Sequence, residues 1–221
     1  MFSLDIQKKI KEDIDLLLCF IKTGIINSGF AQRVEEQRLS QEIETYIKYE
    51  INSTFENKKF EFKYLARIDE NNGSTKAPYE LLFVFKIDNI DYDVYVDFKP
   101  INILKEQTSP FMGSINKYIQ RLQENKFYDI FLIVEYESEV NKLPMLKKIK
   151  LEFVKDIKNY SLYNNWQLQL SIKSTKVEFG RHPNKFKEDL IKLLNEMKTT
   201  TINKIERKCD DNINVLNNIE L

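Results

Sequence analysis

Residues 78–99 read PYELLFVFKIDNIDYDVYVDFK. Two apolar-rich runs, Tyr79 to Ile87 and Tyr92 to Phe98, flank the polar pair Asp88-Asn89. Short runs of this kind joined by a polar turn predict the two strands of an antiparallel hairpin. Side chains two apart in a strand share a face, so Asp97 and Lys99 point together and Phe98 points the other way, into packing. Glu80 opens the neighbouring strand, and a hairpin that folds back on itself brings it alongside Asp97. Pro100 cannot donate to a ladder and is expected to end the second strand.

Two carboxylates and an ammonium at one strand end suit phosphodiester hydrolysis. Glu80 and Asp97 are the candidate ligands of Mg²⁺, a hard ion that takes oxygen donors and keeps several waters. Such an ion neutralises charge on the phosphoryl oxygens and acidifies water. Lys99 is placed to orient the attacking water and to stabilise the transition state. Between Glu80 and Asp97 the acids stand at 80, 88, 91, 93 and 97, against Lys86 alone. An acidic pocket of this kind repels a polyanion unless a cation fills it. Asp91 and Asp93 are rival ligands, and Asp93 shares strand parity with Asp97. D-x-K also arises by chance, as a solvated strand end.

Outward from the hairpin, the period changes. Residues 4 to 21 carry Leu4, Ile6, Ile10, Ile14, Leu17, Leu18 and Ile21 at helical spacing, with Gly24 marking the end. A second helix is expected from about Ala31 to Tyr49. Lys59 to Ile68 alternates as a strand, and Asn71-Asn72-Gly73-Ser74 is the clearest turn signal. A helix is expected at Ser114 to Gln123. Phe127 to Tyr136 contains the run Ile130-Phe131-Leu132-Ile133-Val134, short and β-branched enough for a central strand. Lys150 to Val154 and Leu168 to Ile172 are weaker strand candidates. Phe186 to about Lys208 reads as a long helix, with a break expected near Thr199, Thr200 and Thr201. The order predicts an α/β fold, a mixed sheet flanked by helices. It divides into a helical part (1–50), a catalytic core (59–136) and a recognition part with the last helix (142–208), all in one domain (1–221).

The 221 residues suffice for one substantial core. Lys plus Arg total 34 and Asp plus Glu total 34, which excludes a uniformly basic nucleic-acid coat. Cys19 and Cys209 make no disulfide framework and read as free thiols of a reducing compartment. No run reaches eighteen uncharged apolar residues, so no membrane span and a bacterial cytoplasmic location are expected. The lone His182 and two distant cysteines argue against structural zinc, and against a catalytic triad. There is no Walker loop, G-x-G-x-x-G or H-E-x-x-H.

The motif resembles that of the PD-(D/E)xK nucleases, and within them the type II restriction endonucleases, most closely the blunt-cutting homodimeric members. The second half of the signature stands intact as Asp97-Phe98-Lys99. The first half departs: where the family usually has Pro-Asp, this chain has Pro78-Tyr79-Glu80. Either Glu80 has taken the acidic role one position later, or another acid has. The segment from Lys105 to Tyr118, the strand Asp129 to Tyr136, and Leu162 to Leu170 are similar to family stretches, so the likeness covers roughly residues 75 to 205. The resemblance implies a restriction-endonuclease-like fold and Mg²⁺-dependent cutting of both strands of a short palindromic duplex. It implies blunt 5′-phosphate ends, a homodimer, and a cognate DNA methyltransferase linked genetically rather than as a stable complex. It also implies a glutamate on a helix before the hairpin, for which Glu36 and Glu42 are candidates.

Duplex DNA would be held by uneven charge. Residues 142–158 hold six lysines and two acids, and residues 173–187 hold four lysines, Arg181 and one acid. Lysines there would contact phosphates. Asparagine and glutamine match the adenine edge. Asn164, Asn165, Gln167 and Gln169 form one candidate reading group, beside Trp166, and Gln107, Ser109 and Asn116 a second. Lys173 and Arg181 are candidate phosphate contacts. Arginine, the commonest guanine reader, is scarce in both groups, which points to an A/T-rich target. Two other functions fit the same residues: a structure-specific or repair nuclease, and a nuclease-fold DNA-binding protein without catalysis.

Overall fold

β-strands carry the centre of the molecule, and the chain is laid out from them. The computed structural model describes residues 2–27, 39–57, 61–70, 79–104, 111–123, 127–137, 145–158, 160–164, 168–172 and 177–217. The elements are α1 (Leu4–Asn27), α2 (Leu39–Glu56), β1 (Leu65–Glu70), β2 (Leu81–Ile87), β3 (Ile90–Asn102), β4 (Phe111–Ser114), α3 (Ile115–Gln123), β5 (Ile130–Glu137), β6 (Met145–Phe153), β7 (Tyr160–Asn164), β8 (Gln169–Ile172) and α4 (Pro183–Asn217). A single 3-10 turn, Val154–Asp156, follows β6.

Five strands form a mixed sheet in the order β1-β2-β3-β5-β6. Only β3 and β5 run parallel, with Asp97 opposite Phe131 and Lys99 opposite Ile133. The β2–β3 hairpin closes Ile87 on Ile90. Its two turn residues, Asp88 and Asn89, have φ of 51° and 62°. Left-handed backbone at both positions gives the turn whose twist matches the strands, and Asp and Asn tolerate it best after glycine.

The sheet separates two cores. Ile10, Ile14, Leu17 and Ile21 of α1 and Ile47 and Ile51 of α2 pack on one face. Met112, Ile115, Tyr118, Phe186 and Leu190 from β4, α3 and α4 pack on the other. β5 is buried on both faces: Ile130, Leu132 and Val134 enter the first core, Phe131 and Ile133 the second. Its unbroken apolar run is what such a strand requires. A smaller sheet, β4-β8-β7, lies with the second core and was not anticipated from sequence.

Several boundaries differ from expectation. α1 runs through Gly24 to Asn27; a helix-interior glycine costs about 1 kcal/mol and need not end a helix. α2 extends to Glu56 because Ile51 continues the stripe of Ile47 one turn on. β1 starts at Leu65, not at residue 59. Ahead of it, the Asp13 carboxylate accepts the backbone N–H groups of Lys63, Tyr64 and Leu65, taking the place of ladder bonds. β3 does not stop at Pro100 but continues to Asn102. β2 begins at Leu81, opposite Val96, so beyond Val96 β3 is paired on one side, where a proline is tolerated. α4 is unbroken at the threonines, since Thr199 and Thr200 donate to the carbonyls of Asn195 and Glu196 within the helix. The Asn71–Ser74 turn lies outside the described residues.

Candidate active site

β3 emerges beyond the end of β2 carrying Asp97 and Lys99 on the face of the second core. Phe98, on the opposite face, is buried in the first core with the Lys48 ammonium 5.5 Å above its ring. Alternation along one strand therefore separates anchor from chemistry. Lys99 Nζ donates to Asp97 Oδ1 at 2.7 Å and lies 5.1 Å from the centroid of the Phe131 ring. Both side chains are nearly enclosed, at 11% and 13% exposure. A charge pair this far from water interacts strongly and holds its geometry.

Glu80 is brought in by the backbone. Its N–H donates to Val96 O at 3.0 Å, just before β2 begins. Its Oε2 accepts the N–H of Phe98 at 3.2 Å, so the carboxylate hangs on the peptide next to Asp97. The rivals fare worse. Asp93 is exposed and stands four residues back along β3, about 13 Å at strand rise. Asp91 is exposed and lies opposite Lys86. Of the hairpin acids Glu80, Asp91 and Asp93, Glu80 is thus the one held at the peptide next to Asp97.

One residue was missed. Lys117, on the first turn of α3, places Nζ 3.4 Å from Asp97 Oδ2, so the single carboxylate meets two ammonium groups. The segment around it was noted in the sequence, but its approach depends on the β3-to-β5 crossover, which no local pattern reports. Beneath it the Tyr118 hydroxyl donates to Met112 O at 2.5 Å. Burial, reinforced by the charge of Asp97, pushes that hydroxyl well above its ordinary range, so it stays protonated.

Beside the site runs a stacked wall. The Arg121 guanidinium lies 3.9 Å over the Tyr95 ring, which stacks on Tyr79 at 4.6 Å between centroids. Arg121 also donates to Asp129 at 2.7 Å and to Asp93 O at 3.1 Å. Burial holds the Asp129 carboxyl above the usual range, and the arginine offsets only part of that rise. Tyr79 stands where the family signature usually has its aspartate, and here it builds this wall.

The donor set decides which metal would fit. Among the described residues there is no group of three or more His, Cys, Asp and Glu side chains able to hold a metal. Two adjacent carboxylates do not make a zinc site. They suit a hard cation that retains water and shares a substrate phosphate. Glu36 lies outside the described residues, as does the side chain of Glu42 on α2.

The candidate DNA contacts divide. Gln107, Ser109, Asn165, Gln167 and Lys173 lie outside the described residues. Asn116 is exposed on the first turn of α3, next to Lys117. In the small sheet, Gln169 of β8 stands between Ser114 of β4 and Asn164 of β7. The fold thus sets Asn164 and Gln169 in register with Ser114, the residue that precedes α3. Arg181 departs from its expected place. Its buried guanidinium donates to the carbonyls of Lys155, Ile157 and Lys185 and pairs with Asp189. It holds the start of α4 to the 3-10 turn instead of facing a phosphate.

The lysine run at 142–158 is also less open than its composition implies. Lys147 pairs with Glu137 at 2.9 Å, Lys150 with Glu135 at 2.5 Å, and Lys158 with Glu178. Lys155 is buried against Asp156 and Gln7, and that burial lowers its affinity for a proton. The acids that pair with Lys147, Lys150 and Lys158 come from outside the run, which a linear charge count does not see.

Fold, motif and constellation converge with one comparison. The family model described as SwaI-like, the SwaI restriction endonuclease, matches residues 5–215. No curated protein matches the chain. A match from α1 to the last turns of α4 covers the whole arrangement described above, and the chain belongs to the SwaI-like restriction endonuclease family.

Proposed function

We propose that this type II restriction endonuclease hydrolyses both strands of a short, palindromic, A/T-rich duplex site and leaves blunt 5′-phosphate ends. The observation that carries the proposal is the Asp97–Lys99 pair at 2.7 Å with Glu80 held on the N–H of Phe98. Glu80 and Asp97 hold Mg²⁺, which when bound offsets charge on the phosphoryl oxygens and acidifies water. Lys99 orients the attacking water and meets the charge that grows on the phosphoryl group. Phe131 and the strand-bound stem fix the direction of that ammonium. Asn116, Asn164 and Gln169 supply candidate base contacts, joined by Gln107, Ser109, Asn165 and Gln167 of the same segments. Lys173 is a candidate phosphate contact.

A palindromic site calls for a symmetric reader, so the working form is a homodimer, one active site per strand. Resistance of the host genome calls for a cognate methyltransferase acting on the same site. The test is sequencing of fragment ends after digestion of random-sequence duplex with Mg²⁺. The proposal requires one palindromic consensus with flush 5′-phosphorylated ends. Staggered ends would remove the blunt assignment, and ends without a consensus would favour a structure-specific nuclease.

A further inference from the structure

Lys117 occupies a position that its own helix does not favour. The Ser114 hydroxyl accepts the Lys117 N–H at 3.4 Å, which caps α3 and puts the lysine in its first turn. A cation there opposes the partial positive charge of a helix N-terminus, and α3 carries no acid in that turn to compensate. The side chain is only 15% exposed. Its stem runs along Gly113, where an added Cβ would stand 3.6 Å from Lys117 Cδ. Gly113 itself has φ +124°, a conformation that other residues rarely adopt. The stem thus lies within van der Waals reach of Gly113, and its ammonium ends on Asp97.

Asp97 carries one negative charge and meets two positive ones, from Lys99 and Lys117. A cation drawn to Asp97 competes with both. The ammonium released from the carboxylate then needs another anion, and the start of α3 favours one at the same place.

We propose that Lys117 is a second substrate-facing cation of the active site, whose Nζ takes a non-bridging oxygen of the scissile phosphate once Asp97 is engaged. This rests on the nuclease reading of Asp97. Lysine suits the task as a point charge on a flexible stem. Charge on the phosphoryl oxygens is what a phosphoryl-transfer site has to stabilise. Lys99 orients the water as well as meeting phosphoryl charge, whereas Lys117 acts on the phosphate alone, so the two lysines are not redundant.

The test compares the wild-type protein with Lys117→Met and Lys117→Gln on two duplexes. One is the mapped site with its native backbone, the other the same site with a neutral methylphosphonate at the scissile position. Binding is read by fluorescence anisotropy with Ca²⁺, and single-turnover cleavage with Mg²⁺. Circular dichroism selects whichever variant keeps the wild-type fold. The variants are expected to bind the native duplex about 10-fold more weakly, the worth of one charge-assisted hydrogen bond. They are expected to bind the methylphosphonate duplex as the wild type does, because the partner charge is gone. Cleavage of the native duplex is expected to fall about 100-fold. An equal binding penalty on both duplexes, or cleavage at the wild-type rate, overturns the role of Lys117 while leaving the nuclease reading intact. A wild-type protein that leaves every duplex uncut overturns both.

Discussion

Asp97 is the side chain on which every charged group of the site converges. It binds Lys99 through one oxygen and Lys117 through the other, beside a glutamate pinned to the next peptide. Replacing it by asparagine keeps shape and removes the charge, so Asp97→Asn is expected to slow single-turnover cleavage at least about 1,000-fold. Lys99→Met is expected to cost about 100-fold or more in the same assay, with little change in DNA binding if the ammonium acts on the water. A Lys99→Met protein that cuts normally would transfer that role to Lys117. At this scale the sequence was informative where strand parity alone decides: Asp97 and Lys99 share a face because they are two apart. It was silent on Lys117, which arrives from another element. It was misleading on Arg181, whose exposure is set by the carbonyls of Lys155, Ile157 and Lys185 folding over it.

Elements hold the site in place through a few buried charges. Asp13 of α1 accepts three backbone N–H groups ahead of β1, tying the first helix to the edge of the sheet. Asp13→Ala leaves those donors without their acceptor and is expected to destabilise the protein by about 3 kcal/mol in urea unfolding. An unchanged midpoint would mean that water replaces the carboxylate. The Arg121–Asp129 pair locks α3 to the start of β5 and is almost fully buried. Asp129→Asn strands the guanidinium and is expected to cost about 3 kcal/mol, measured the same way. The hairpin was legible because alternation and the Asp88-Asn89 turn agree locally. The length of β3 was not, because tolerance of Pro100 depends on where β2 begins. β4 and β7 were missed for a related reason: each is short and gains its partners only when β8 lies between them.

Across the whole molecule, one sheet faces two cores, and the site opens where β3 outruns its antiparallel neighbour on the side of α3 and α4. No helix among the described residues is long and apolar enough to cross a membrane. The mixed sheet and its helices were foreseeable from the order of periodic segments, the second sheet was not. A homodimer is expected to sediment at twice the 26.4 kDa of the chain, and a monomer in the presence of cleavable DNA would contradict it. The central claim is that Asp97 anchors a metal-dependent, site-specific nuclease. The most direct test is digestion of unmethylated phage and plasmid DNA with Mg²⁺, beside parallel reactions with EDTA and with Asp97→Ala. Reproducible discrete fragments that vanish in both controls are the predicted result. Intact DNA under every condition, or an unaltered pattern from Asp97→Ala, would contradict it.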